Sequence, residues 1–202
     1  LQPDYAKAHS NLGATLQELE RLDEALASYN KAIALKPDFA LVHNNLGVTL
    51  QELGRLEEAV ASYSQAIALK TDYAQAQVNL GIAIKNVRFN SPNPKLYPPL
   101  TQLLTAGNFM RPKDVAGSIL SLLKHDTQIK DLLLEKNFSV SLNEATSIIG
   151  SIYKVPLLHR LMRVCPLPEL QFEEIFVAIR SLLLKNLDDM EVSPELIHFL
   201  ST

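Results

Sequence analysis

Apolar residues recur at helical spacing along almost the whole chain. Leu12 and Leu16, Ala25, Tyr29, Ala32 and Ile33, then Ala59, Tyr63, Ala66 and Ile67 fall three, four or seven positions apart, with polar residues between them. That period places one apolar stripe on each of a series of short amphipathic helices. It predicts helices over 6–18, 23–35, 40–52, 57–69 and 74–86. Asn90-Ser91-Pro92-Asn93-Pro94-Lys95-Leu96-Tyr97-Pro98-Pro99 interrupts the pattern. Each proline removes a backbone donor and restricts the residue before it, so no helix continues through this stretch.

Helical spacing resumes beyond residue 100. Val115, Ile119, Leu122 and Leu123 follow Pro112, and Ile129, Leu132 and Leu133 follow Asp126. Leu142, Ala145, Ile148, Ile149 and Ile152 form a third stripe, and Leu157, Leu158, Leu161 and Met162 a fourth. Phe172, Ile175, Phe176, Ile179, Leu182 and Leu183 form a fifth. Ser193-Pro194-Glu195 has the N-cap and first-turn proline of a last helix start. No alternating strand pattern competes. The expected fold class is all-α: a helix-turn-helix solenoid over 1–86, a Pro/Asn-rich linker over 87–99, and an irregular α-helical bundle over 100–202.

The first part repeats itself. Asn11-Leu12-Gly13, Asn45-Leu46-Gly47 and Asn79-Leu80-Gly81 stand 34 residues apart, as do Tyr5-Ala6, Phe39-Ala40 and Tyr73-Ala74. Ala32-Ile33-Ala34-Leu35-Lys36 returns as Ala66-Ile67-Ala68-Leu69-Lys70. A fixed period of this length marks stacked helical hairpins, because one hairpin cannot bury its own apolar face. Small residues at Gly13, Ala25 and Ala32 let the two helices of a hairpin approach, while Leu12, Leu16, Tyr29 and Ile33 fill the space between them. Glu20 and Gly54 fall at the tight turn inside each unit, where positive φ is wanted.

These positions resemble the tetratricopeptide repeat (TPR) family, with Pro37 closing the first unit. His9, His43 and Gln77 stand near the place where that family often carries Trp, and Thr71 replaces the closing proline. The asparagine frame is similar to the repeats of O-linked N-acetylglucosamine transferases; that resemblance implies that Asn11, Asn45 and Asn79 grip a polypeptide. The run from Pro156-Leu157-Leu158-His159 through Pro166-Leu167-Pro168-Glu169 resembles the helical region that precedes methyltransferase domains in some bacterial TPR proteins. The carboxylate clamp of chaperone-binding repeats is not reproduced by Lys7 and Lys85 alone.

A helical wheel gives the first helices two sides. His9, Leu12, Gly13 and Leu16 fall on the core side of the first, and Lys7, Asn11, Ala14 and Glu18 on the other. The matching outer sets are Leu41, Asn45, Val48 and Glu52, then Gln75, Asn79, Ile82 and Asn86. Stacked, they form an asparagine ladder, an apolar column of Ala14, Val48 and Ile82, and a polar column of Glu18, Glu52 and Asn86 on the concave surface. An amide offers an acceptor and two donors, so it can pair with the N–H and C=O of an extended peptide whatever that peptide's side chains. The candidate peptide-binding residues are therefore Lys7, Asn11, Ala14, Leu41, Asn45, Val48, Gln75, Asn79 and Ile82. The alternative is a structural ladder in which the amides bond to each other.

Composition narrows the remaining choices. With 47% hydrophobic and 20% charged residues and a mean hydropathy of +0.05, the 202-residue chain can bury a real core. No run nears the roughly 18 apolar residues of a membrane span, and no basic-then-apolar leader stands at the start. The expected location is the cytoplasm. A net charge of -3 without a clustered basic surface argues against nucleic acid as a partner. A lone Cys165 leaves no internal disulfide and reads as a buried hydrophobe. His9, His43, His125, His159 and His198 make no pair with metal-ligand spacing, so no metal or other cofactor is expected. Asp188, Asp189 and Glu191 read as a solvated turn, and Lys154, Arg160 and Arg163 as a modest basic face. No phosphate loop, nucleophile elbow or dinucleotide fingerprint is present, so catalysis by this chain is not expected.

The expected function is a protein-interaction scaffold that holds an extended segment of a partner. A second reading is the substrate-recognition region of a larger glycosyl- or methyltransferase. It draws on Leu1-Gln2-Pro3-Asp4, which aligns with Leu35-Lys36-Pro37-Asp38 as the tail of a further repeat, and on the absence of an initiator Met; both ends read as cut. A third is self-association through the helix over 74–86, which lacks its pairing helix. A homodimer is not the expected state, since the C-terminal helices are expected to cover that face.

Overall fold

A computed structural model describes residues 3–106, 111–127, 129–130, 145, 148–150, 154–164, 177, 179–181, 184 and 197. Its residues fall into two compact units, one running to Val87 and the other starting at Arg88. All regular structure among the described residues is helical.

The first unit contains α1 (Pro3–Glu18), α2 (Leu22–Leu35), α3 (Ala40–Glu52), α4 (Leu56–Leu69) and α5 (Ala74–Ile84). The helices pair as hairpins, α1 with α2 and α3 with α4. Each second helix then packs on the next first helix, α2 on α3 and α4 on α5. Close approach inside a hairpin depends on glycine under a ring. A Cβ on Gly13 would lie 2.7 Å from the Tyr29 ring, and one on Gly47 would lie 2.6 Å from the Tyr63 ring. Both tyrosines are buried, and so are Ala25, Ala32, Ala59 and Ala66 beside them. Burying a phenol ring against a bare backbone is the packing step that joins the two helices of a unit.

The turn inside each hairpin has a left-handed residue, Glu20 at φ 57° and Gly54 at φ 75°. Around it the Glu20 N–H donates to the Gln17 carbonyl and the Arg21 N–H to the Leu16 carbonyl, both at 2.9 Å. Gly54 and Arg55 repeat these bonds to Gln51 and Leu50. The paired bonds satisfy carbonyls that the end of a helix would leave unmet. The sequence signal for positive φ is thus correct at both positions, although only one of them is glycine.

Two sequence expectations about the core side are corrected. His9 and His43 are half-exposed rather than buried. His43 Nε2–H donates to the Pro37 carbonyl at 2.9 Å, and the equivalent Gln77 Nε2–H donates to the Thr71 carbonyl at 2.8 Å. This position ties down the turn between units, and an imidazole and an amide reach that carbonyl equally well. Leu12 does not fill the hairpin interior, because it is 48% exposed while its counterparts Leu46 and Leu80 are 8% and 0% exposed. Leu46 and Leu80 sit on helices covered by α2 and α4, whereas no described helix stands before α1. Tyr5 and Leu19, seven residues to either side of Leu12, share its exposure at 59% and 60%.

In the second unit the Pro/Asn-rich stretch read as a linker is folded. Pro94–Leu96 makes one 3₁₀ turn leading into α6 (Tyr97–Ala106), and α7 (Pro112–Leu123) and α8 (Pro156–Val164) follow. The Phe89 N–H donates to Ser121 Oγ at 3.0 Å, and His125 Nε2–H donates to the Phe89 carbonyl at 3.1 Å. The Arg88 guanidinium donates to Ser118 Oγ at 3.1 Å. Tyr97 Oη donates to Asp126 Oδ2 at 2.7 Å. Phe89 and Leu96 are buried, which explains why a proline-rich segment is held: two apolar side chains and several side-chain partners replace the helix ladder it cannot form. Val115, Ile119, Leu122, Leu123, Ile129, Ala145, Ile149, Leu157, Leu158, Leu161 and Ile179 are buried as their spacing predicts, and Ile148 and Met162 are half-buried. Leu132, Leu133, Leu142, Ile152, Cys165, Phe172, Ile175, Phe176, Leu182, Leu183, Asp188, Asp189, Glu191, Ser193, Pro194, Glu195 and His198 lie outside the described residues.

Candidate peptide-binding surface

The nine residues expected to meet a peptide all lie on α1, α3 and α5. Lys7, Asn11, Leu41, Gln75 and Ile82 are exposed, and Ala14, Asn45, Val48 and Asn79 are half-buried. Helices in such a row come into register because one sequence unit is used three times, so each column of the wheel becomes a column on the surface.

The three amides are not equivalent. Asn11 has no hydrogen-bond partner among the described residues. Asn79 Nδ2–H donates to Asn44 Oδ1 at 3.0 Å, and Asn79 Oδ1 accepts from Gln75 Nε2 at 2.9 Å. Asn44 Nδ2–H donates in turn to Asn45 Oδ1 at 3.4 Å. A side-chain chain therefore runs Gln75, Asn79, Asn44, Asn45 across α3 and α5. Each amide still has capacity left, since one donor and one lone pair of Asn79 remain unused by these bonds. Asn44, 5% exposed, was missed by sequence reasoning. Its only signal was that Ser10 and Val78 occupy the same place in the other units.

Between the first and second hairpins the surface deepens into a cavity of about 360 Å³ lined by Ala14, Gln17, Glu18, Tyr29, Asn45, Val48 and Glu52. Five of these, Ala14, Glu18, Asn45, Val48 and Glu52, lie on the predicted columns of amide or apolar residues or at their acidic edge in neighbouring units; Gln17 and Tyr29 are additions. Lys7 and Leu41 line no part of it. Gln17 organises the floor. Its Oε1 accepts from Tyr29 Oη at 3.2 Å and from Thr49 Oγ1 at 3.1 Å, and its Nε2–H donates to Glu52 Oε2 at 3.1 Å. Burial pushes the Tyr29 phenol above its ordinary range, the neighbouring Asn45 amide pulls it back, and the carboxylates of Glu52 and Glu18 raise it further. Both carboxylates thus act on the same hydroxyl at the cavity floor. Tyr63 repeats the arrangement by donating to Gln51 Oε1 at 3.2 Å, and its phenol is raised by burial and then by Glu52.

Other candidates are accounted for. Arg160 donates to the Leu104 carbonyl at 3.4 Å and is half-buried, so it is not part of a free basic face. Among the described residues no three metal-binding side chains converge, and no helix is long and apolar enough to cross a membrane.

Comparison with known proteins bears on the first unit. A family model described as "TPR repeat" matches residues 15–54 and again 50–86. No curated protein matches the sequence significantly. Among solved structures, "MamA 41-end from Desulfovibrio magneticus RS-1" is similar at 12% sequence identity and a TM-score of 0.43, over 88% of this chain and 97% of that one.

Proposed function

Taking as premise that residues 15–86 carry tetratricopeptide repeats, a module that generally mediates protein–protein interaction, we propose that the chain is a non-catalytic scaffold that binds an extended segment of a protein partner along α1, α3 and α5. The observation that carries this reading is the recurrence of Asn11, Asn45 and Asn79 on the three first helices, the first exposed and the other two half-buried with hydrogen-bonding capacity left, with apolar neighbours Ala14, Val48 and Ile82 beside them. Amides recognise the peptide backbone, and the apolar column takes alternate side chains, each buried CH₂ adding about 0.8 kcal/mol. The reading draws support from Asn11 and Ile82 above all, since the first has no partner among the described residues and the second is 52% exposed. Neither contributes much to folding, so both are free for a ligand.

The test uses these two positions. Asn11→Ala with Ile82→Ser should lower capture of immobilised random decapeptides at least about tenfold, the loss of roughly 1.4 kcal/mol, while circular dichroism melting stays within experimental error of the parent. Unchanged capture would overturn the reading, and a large fall in melting temperature would instead make the ladder structural.

A further inference from the structure

We infer that this surface selects segments carrying a lysine or arginine, whose charged head sits in the cavity between the first two hairpins, beside Glu18 and Glu52. The inference rests on the peptide reading and names the chemistry of the peptide.

The charge arrangement carries it. Glu18 and Glu52 are exposed carboxylates, one unit apart, lining the same cavity. The cations nearest to them in sequence are turned elsewhere: Arg21 makes a two-bond pair with Glu24, and Arg55 makes the same pair with Glu58. Glu52 receives one neutral N–H from Gln17, and Glu18 has no hydrogen-bond partner among the described residues. The repeats thus pair Glu24 and Glu58 of their second helices with these arginines and leave Glu18 and Glu52, at the ends of the first helices, without an ion-pair partner among the described residues. That is a surface complementary to an incoming cation.

The shape fits the same occupant. A cavity of about 360 Å³ walled by Ala14 and Val48 has apolar sides and a polar end. A lysine or arginine side chain has the same two parts, a methylene stem that packs on apolar surface and a charged head that stays hydrated. Tyr29 Oη and the two carboxylates offer acceptors, whereas an acidic side chain would meet like charge. The preference also has a register. In the third unit Lys85 stands where Gln17 and Gln51 stand, and Asn86 where Glu18 and Glu52 stand, so the acidic edge ends with the second hairpin. The basic residue belongs over α1 and α3 and not over α5.

The experiment compares retention of decapeptide arrays in which one central position is lysine or arginine, a neutral residue, or aspartate or glutamate. The intact chain should retain the basic set about fivefold more than the neutral set at low salt, as expected for two partly exposed ion pairs. Glu18→Gln with Glu52→Gln should bring the two sets level without reducing capture of the neutral set. Glutamine keeps a side-chain oxygen for the Gln17 bond, and both sites are exposed, so this variant keeps the parent fold. Raising salt to about 0.5 M should also narrow the preference, because exposed charges are screened over a few ångströms there. Capture without charge preference, or a preference that survives the double substitution, would overturn this inference and leave the peptide reading standing. Failure to capture any peptide would overturn the peptide reading, and this inference with it.

Discussion

At the scale of single residues, the turn inside each hairpin shows how a sequence repeat can hold unequal strain. Glu20 and Gly54 occupy equivalent left-handed positions. A side chain there crowds the following carbonyl at a cost of about 1–2 kcal/mol, which glycine escapes. Glu20→Gly should therefore stabilise the first unit by about 0.5–1 kcal/mol after the extra freedom of glycine in the unfolded chain is deducted. Gly54→Ala should destabilise it by about 1 kcal/mol. Chemical denaturation of the two variants checks both signs, and equal effects would refute the account. The need for positive φ was legible in the sequence because Gly54 marks it and the period carries it back to Glu20. The depth of the glycine–tyrosine contact was legible only as a size rule. Nothing in the spacing says that a Cβ at Gly47 would lie 2.6 Å from an aromatic carbon.

At the scale of elements, hairpins are joined by single side chains that reach back over a turn. His43 holds the Pro37 carbonyl, and Gln77 holds that of Thr71. His43→Ala should cost about 1 kcal/mol, the net worth of one such bond, whereas His43→Gln should restore most of it by copying the third unit. Equal losses in the two variants, measured by thermal melting, would show that the imidazole packs rather than bonds. This role was not legible. The helical wheel located His43 near the core side, but which atom reaches which carbonyl depends on the angle at which one hairpin follows another. The candidate surface divides along the same line. Exposure of Lys7, Asn11, Leu41, Gln75 and Ile82 follows from the wheel, while the engagement of Asn79 by Asn44 and Gln75 depends on contacts between helices that the wheel treats separately.

At the scale of the whole molecule, the same residue has a different value according to its place in the row. Leu12, Leu46 and Leu80 share one sequence frame, yet Leu12 is 48% exposed and Leu80 fully buried. Leu12→Ala should leave stability within about 0.5 kcal/mol of the parent, as for ordinary surface changes. Leu80→Ala should cost about 2–5 kcal/mol through lost transfer energy and a cavity. Comparable losses at both sites, in urea titrations of the intact chain, would contradict the stacking order described above. The all-α class was foreshadowed by periodicity, and an interruption of the repeats by the proline-rich break. That the break itself would be held down through Phe89, Ser121 and His125 was not, because its partners lie some 30 residues further on and share no pattern with it.

The three-fold recurrence of one sentence of sequence in unlike surroundings makes this chain its own control experiment. A chemical group written at positions 12, 46 and 80, or at 11, 45 and 79, is held constant while its neighbourhood changes. The difference between copies then measures the neighbourhood alone, without recourse to a second protein.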